Sequence, residues 1–163
     1  MLILGIDPGY ATTGFGIIDS FDDQIKAVDY GVITTSKDLP HGERLLQTIN
    51  DLMELIREFH PDEVALEELF FSKNVTTALK VAECRGAIIY ELQRQKMALS
   101  EYKPNQVKNS VCGYGSAPKI QVQKMVQILL ELKQIPQPDD AADALALAIC
   151  HAHHQKQKLN PVL

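Results

Sequence analysis

Apolar positions along this chain follow two periods, and the alternation between them predicts the order of elements. Residues 2–7 are apolar almost throughout and predict a buried strand, stopped by the turn-forming pair Pro8-Gly9. Residues 14–19 and 25–34 predict two more strands, joined by the short polar link Phe21 to Gln24 as a hairpin meander. In residues 42–59 the period changes. Leu45, Ile49, Leu52, Ile56 and Phe59 recur at spacings of four and three, one apolar stripe of a helix. His60-Pro61 ends it. A fourth strand is predicted over 63–68. A second helix is predicted over about 74–96, with Leu79, Ala82, Gly86 and Ile89 on its apolar face, and a fifth strand over 97–102.

The remainder reads as helical. Pro104 suits the first turn of a short helix, Gly113-Tyr114-Gly115 interrupts the chain, and Ser116 is a candidate N-cap for a helix over 117–132. Pro136 and Pro138 make a stiff link. A last helix starts near Asp140 and buries Leu145, Ala148, Ile149 and Ala152, and a polar, frayed tail is expected after His154. A meander followed by alternating helices and strands predicts an α/β domain: a mixed five-stranded sheet flanked by helices. With 163 residues, one core is expected rather than two, a single domain over 1–155 with a polar tail over 156–163.

Composition narrows this picture only slightly. No run of about 18 apolar residues occurs, so no membrane span is expected. The N-terminus reads as a strand rather than a signal peptide. Three scattered cysteines without a C-x-x-C pair favour a reducing, cytoplasmic setting. The net charge of −5 speaks against a nucleic-acid partner until its distribution is considered. Residues 1–71 hold 4 Lys/Arg against 14 Asp/Glu, but residues 72–133 hold 10 against 4. That basic middle could meet phosphates.

Four carboxylates carry the candidate chemistry. Asp7 closes the first strand and Glu67 the fourth, while Asp140 and Asp143 open the last helix, three apart and so on one face. Gathered in space they would form an all-oxygen cage for Mg²⁺ or Mn²⁺, and two such ions can drive phosphodiester hydrolysis. Plainer readings exist for each. Acids at a helix start favour its dipole, an Asp before Pro-Gly can open a turn, and strand alternation sends Glu67 and Glu68 to opposite faces without saying which faces a site. The run from Asp7 to Gly14 also matches the D-x-G-x-x-x-x-G phosphate loop of actin-like and sugar kinases, which need a longer, two-domain chain.

Four segments, GIDPGYATTGFGII, PDEVALEELFFSKN, VKNSVCGYGSAPKIQVQ and DDAADALALAICH, occur in this order. In combination the chain resembles the RuvC-type Holliday junction resolvases, from Leu2 to about His154. The resemblance implies a ribonuclease H-like fold and a homodimeric endonuclease. Such an enzyme cuts two opposing strands of four-way junction DNA, uses Mg²⁺ or Mn²⁺ (two ions per subunit), and works with the branch-migration proteins RuvA and RuvB. Carried over by motif, the metal-binding and catalytic acids are Asp7, Glu67, Asp140 and Asp143, with Glu67 favoured over Glu68. Lys108 and Lys119 become catalytic-site lysines that also contact DNA. Phe70 becomes a ring that stacks on a base near the junction centre, Phe71 being the other candidate for core packing. Lys73 and Asn74 fall in a loop that approaches DNA. The helix over 74–96, with small residues Ala78, Ala82 and Gly86, is the candidate dimer surface.

Two further functions remain open from sequence: a ribonuclease H-like nuclease cutting RNA–DNA hybrids, and a junction-binding protein whose acids only cap helices. The tail holds His151, His153 and His154; His151 and His154 could share a helix face and bind metal, but a solvated helix end is the simpler expectation.

Overall fold

The computed structural model of the protein describes residues 1–22, 24–69 and 75–159, the side chains of residues 75 and 159 excepted. Its elements run β1 (Leu2–Asp7), β2 (Thr12–Phe21), β3 (Gln24–Thr34), α1 (His41–Phe59), β4 (Glu63–Glu67), α2 (Val75–Arg94), β5 (Ala98–Tyr102), α3 (Pro104–Cys112), α4 (Lys119–Leu129) and α5 (Asp139–Leu159). The sheet order is β3-β2-β1-β4-β5. β1, β2 and β3 form the antiparallel meander, and β4 and β5 add in parallel beside β1. This is the mixed α/β sheet of the ribonuclease H-like fold.

Two cores sandwich the sheet. On one face α1 and α2 bury Leu52, Ile56, Ile88 and Leu92 against Leu4, Ile6, Ile17 and Leu66. On the other, α3, α4 and α5 bury Val107, Val126, Leu145 and Ile149 against Ile3, Ile18 and Ala65. Alternation along the strands then fixes the polar ends. Ile3 faces α5 and Leu4 and Ile6 face away, so Asp7 faces α5. Ala65 faces α5 and Val64 and Leu66 face away, so Glu67 also faces α5.

Glycines let α5 lie unusually close to the sheet. Gly5 on β1 pairs with Gly16 on β2, and Asp7 pairs with Gly14. A Cβ on Gly5 would run into the Ala144 carbonyl, one on Gly14 into the Asp140 carbonyl, and one on Gly16 would stand 2.7 Å from the Leu145 amide nitrogen.

Several expectations need correction. The inward face of α2 carries Ala78, Cys84, Ile88 and Leu92. Of the predicted face Ile89 packs against this core, but Gly86 is exposed and Leu79 is 56% exposed. Apolar residues on both sides of this helix left its phase ambiguous. α4 begins at Lys119, not 117, because Pro118 holds the preceding residue extended and takes the N-cap itself, so Ser116 caps nothing. α5 stays helical through Leu159, past the point expected to fray. His151 is not at a solvated helix end. It is fully buried, its Nδ1 2.8 Å from the Tyr102 hydroxyl and its Nε2 2.6 Å from Glu63 Oε2. The α1 stripe is as expected, its last turn closed by His60 in the left-handed region with its amide donating to the Ile56 carbonyl.

Two glycine substitutions separate packing from backbone freedom. Gly16→Ala should lower stability by about 1–3 kcal/mol, as overpacking against main chain does. Gly42→Ala, in α1 with nothing within 4 Å of the new methyl, should gain about 0.4–1 kcal/mol. Urea unfolding midpoints compare them, and a neutral Gly16→Ala would mean that α5 is free to move outward.

Candidate active site

The carboxyl ends of β1 and β4 lie side by side. Ile6 pairs with Leu66, which sets Asp7 level with Glu67, both turned toward α5. Across β1–β2, Gly14 opposite Asp7 admits the main chain of Asp140, so the first turn of α5 rests directly beside the Asp7 strand end. Asp143, one turn further along α5, faces the same space. All four predicted carboxylates therefore share one end of the sheet and one face.

Burial and crowding shift three of them. Burial, then the charges of Glu67, Asp143 and Asp140, push the Asp7 carboxyl up to about 8, against a smaller pull from Lys119. Burial and Asp143 push Glu67 up to about 7, offset by Lys108 and Lys119. Burial also raises Asp143, even though Lys119 Nζ stands 2.9 Å from its Oδ2. Desolvation thus outweighs a direct ion pair at Asp143. At Lys119 the balance is reversed: burial favours the neutral amine, but Asp143 and Asp139 together hold the ammonium above its ordinary range.

Two lysines border these carboxylates. Lys108 on α3 and Lys119 at the start of α4 line a cavity of about 230 Å³ together with Glu67 and Asp143, over a floor of Pro104, Val107, Val122 and Ala146. Phe70, Phe71, Lys73 and Asn74 lie outside the described residues.

Sequence reasoning missed two residues here. Asp139 is not idle beside Asp140: it accepts a bond from Gln123 Nε2 at 2.8 Å and lies 3.4 Å from Lys119 Nζ, tying α5 to α4. Arg85 on α2 donates from Nε to the Glu67 carbonyl at 2.8 Å and pairs with Glu101, which ties α2 to the ends of β4 and β5. Nothing in the local pattern marks Arg85. The Asp139-Asp140 doublet was at least visible as an acid to spare.

A hard divalent cation fits this donor set. The groups are all carboxylate oxygen, which suits Mg²⁺ or Mn²⁺, and four carboxyls crowd together against two lysines. Among the described residues, no three such groups stand close enough to ligate one ion with the side chains as they lie. The main chain brings the four carboxylates to one end of the sheet, but their side chains as they lie do not converge on one point.

Comparison with known proteins points the same way. The family profile described as crossover junction endodeoxyribonuclease RuvC matches residues 3–151. The chain is 51% identical to the crossover junction endodeoxyribonuclease RuvC of Chloroflexus aurantiacus, over 94% of this chain and 93% of that one. Among solved structures, it is similar to Thermus thermophilus RuvC, with TM-score 0.88 and 33% identity over 97% of each chain. It is likewise similar to T. thermophilus RuvC in complex with Holliday junction substrate, with TM-score 0.87 and 31% identity over 96% of each.

A carboxyl raised on folding keeps its proton in the native protein where the unfolded chain has lost it. Its contribution to stability therefore falls as pH rises, here between about 4 and 8 for Asp7. In metal-free buffer at pH 8, Asp7→Asn should be more stable than the wild type by on the order of a few kcal/mol. The gap should close toward pH 4, and Mg²⁺ should narrow it at pH 8. Melting temperatures across this range test the point; equal values at pH 8 would show that burial and neighbouring like charge do not hold the Asp7 carboxyl up.

Proposed function

The chain belongs to the RuvC family of crossover junction endodeoxyribonucleases, and from this we infer that it resolves four-way DNA junctions by hydrolysing phosphodiester bonds. The observation that carries the reading to particular residues is the convergence of Asp7, Glu67, Asp140 and Asp143 on one end of the sheet. These four would hold Mg²⁺ or Mn²⁺, two ions per subunit. Bound there, the ions would supply a nucleophilic water at neutral pH and stabilise the leaving oxygen.

The protein's own side chains do the rest. Asp7 and Glu67 stand on strand ends and Asp140 and Asp143 on the first turns of α5, and their side chains would turn together to hold the ions. Lys108 and Lys119 flank the carboxylates, where an ammonium can meet a phosphate and offset its developing charge. Lys119 must leave Asp143 to do so, and the arrival of cations at the carboxylates favours that exchange. Phe70, Lys73 and Asn74 complete the proposed DNA contacts, with Phe70 stacking on a base.

Paired cuts on opposing strands need two sites related by a two-fold axis, so the working form is a homodimer. The outward side of α2 suits its interface: Leu79 and the 69%-exposed Tyr90 flank Gly86, over which there is open space. Ala82 remains in this surface, but Ala78 turns inward and leaves it. We further take residues 1–155 as one nuclease domain, acting in the cytoplasm with RuvA and RuvB. No helix among the described residues is long and apolar enough to cross a membrane.

Nicking of a synthetic four-way junction, compared with linear duplex and RNA–DNA hybrid in Mg²⁺, Mn²⁺ or EDTA, tests the reading. Symmetric, metal-dependent cuts on the junction are expected, lost in Asp7→Asn with junction binding retained. Preferential cleavage of the hybrid would overturn it. Tyr90→Glu, measured by sedimentation velocity, should shift the protein toward monomer and abolish paired cutting; an unchanged dimer would move the interface elsewhere.

A further inference from the structure

Three residues after Asp7, on the loop joining β1 to β2, the Tyr10 ring gathers positive charge. The Arg44 guanidinium lies 3.9 Å from its centroid and Lys80 Nζ lies 4.7 Å from it. The His41 ring stands 5.3 Å away, centroid to centroid. Arg44 is buried and anchored, donating from Nε to Thr35 Oγ1 at 3.0 Å and from Nη2 to the Tyr10 carbonyl at 3.3 Å. His41, the first residue of α1, uses Nε2 against Glu83 Oε2 at 2.6 Å, and its buried Nδ1 has no hydrogen-bond partner.

This arrangement is unexplained by packing alone. Neither Arg44 nor Lys80 forms an ion pair among the described residues. An aromatic face attracts cations, but it does not neutralise them, and two cations on one ring repel each other. The surrounding sequence is rich in acid, with 14 Asp/Glu against 4 Lys/Arg over residues 1–71. Glu83, the carboxylate that reaches this cluster, pairs with His41 rather than with Arg44 or Lys80. Such a cluster of cations on one ring fits an anionic ligand.

The position says which anion. β1 and β3 both end at this side of the sheet, and α1 and the first half of α2 begin there. Three residues of chain span at most about 11 Å, so the cluster lies within a few nucleotides of the carboxylates. It sits on the α1–α2 side of the strand end, away from Lys108 and Lys119 on α3 and α4.

We propose that Tyr10, His41, Arg44 and Lys80 form a second phosphate site, which holds the DNA backbone a few nucleotides from the bond being cut. The inference rests on the junction-resolving reading above and adds a contact to it. Lys80, half-buried at the surface, supplies the neutralising charge, and the His41 ring packs beside Tyr10. Arg44 holds the Tyr10 loop in place from below. A phosphate contact fixes the position of the strand and is blind to its sequence.

The test is junction binding in EDTA, where no cutting occurs, followed by anisotropy across a series of NaCl concentrations. Lys80→Gln should weaken binding several-fold and lower the magnitude of the slope of log K against log salt by about one; Lys80→Arg should restore both. An unchanged slope overturns the proposal whether or not affinity falls, because a loss through altered packing or subunit contact leaves the count of neutralised phosphates intact. Wild-type protein that neither binds nor nicks the junction would bring down the functional reading itself. Wild-type binding with an unchanged slope in Lys80→Gln would bring down this site alone.

Discussion

The approach of α5 to the β1–β2 pair is the constraint on which the rest of the molecule depends. Helices ordinarily rest on sheets through a layer of side chains. Here the layer is missing at Gly5, Gly14 and Gly16, and main chain meets main chain. Close-packed interiors tolerate no extra methylene at such a point. The benefit is positional. Asp140 and Asp143 come down to the level of Asp7 and Glu67 instead of standing a side-chain layer above them. The fold's largest helix therefore acts as the fourth wall of the site as well as the centre of a core.

What this geometry assembles is electrostatically unfavourable by itself. Four acids crowd a half-buried corner, and the two on strand ends are pushed toward neutrality, Asp7 by burial and the charges of Glu67, Asp143 and Asp140, Glu67 by burial and Asp143. The structure contains partial remedies. Lys119 spans Asp139 and Asp143, Lys108 faces Glu67, and Arg85 holds the Glu67 main chain from the opposite helix layer. None removes the excess of negative charge. Stability is conceded at the place where charge is required for chemistry, a pattern common to sites that bind cations or stabilise developing charge.

Much of this was legible in the residues themselves. Strand alternation, once the cores on either face are known, singles out Glu67 over Glu68 by parity, and the i, i+3 spacing of Asp140 and Asp143 survives intact. The α1 stripe was legible because its other faces are polar. α2 was not, because apolar residues surround it and only contact with Ile88 and Leu92 inward sets its phase. Ser116 looked like a cap because the local pattern does not weigh Pro118 against it. His151 looked like part of a solvated end because its partners, Tyr102 and Glu63, are 49 and 88 residues away. Long-range partners of that kind leave no local trace. The same is true of Arg85, and of the cation cluster around Tyr10, whose members come from a loop and two helices.

The buried His151 also bears on the far end of its own helix. Its two ring nitrogens meet Tyr102 and Glu63, and Gln155, one turn on, donates to Glu63 as well. A polar group at zero exposure has no water to fall back on, so these bonds hold only one rotational setting of α5. Each residue along a helix turns it by about 100° and advances it about 1.5 Å. Eight residues separate His151 from Asp143, so the network fixes the azimuth of the carboxylates from about 12 Å away. α5 is keyed like a shaft: a single residue inserted between the two would leave the helix fully formed and aim Asp143 at the wrong quadrant.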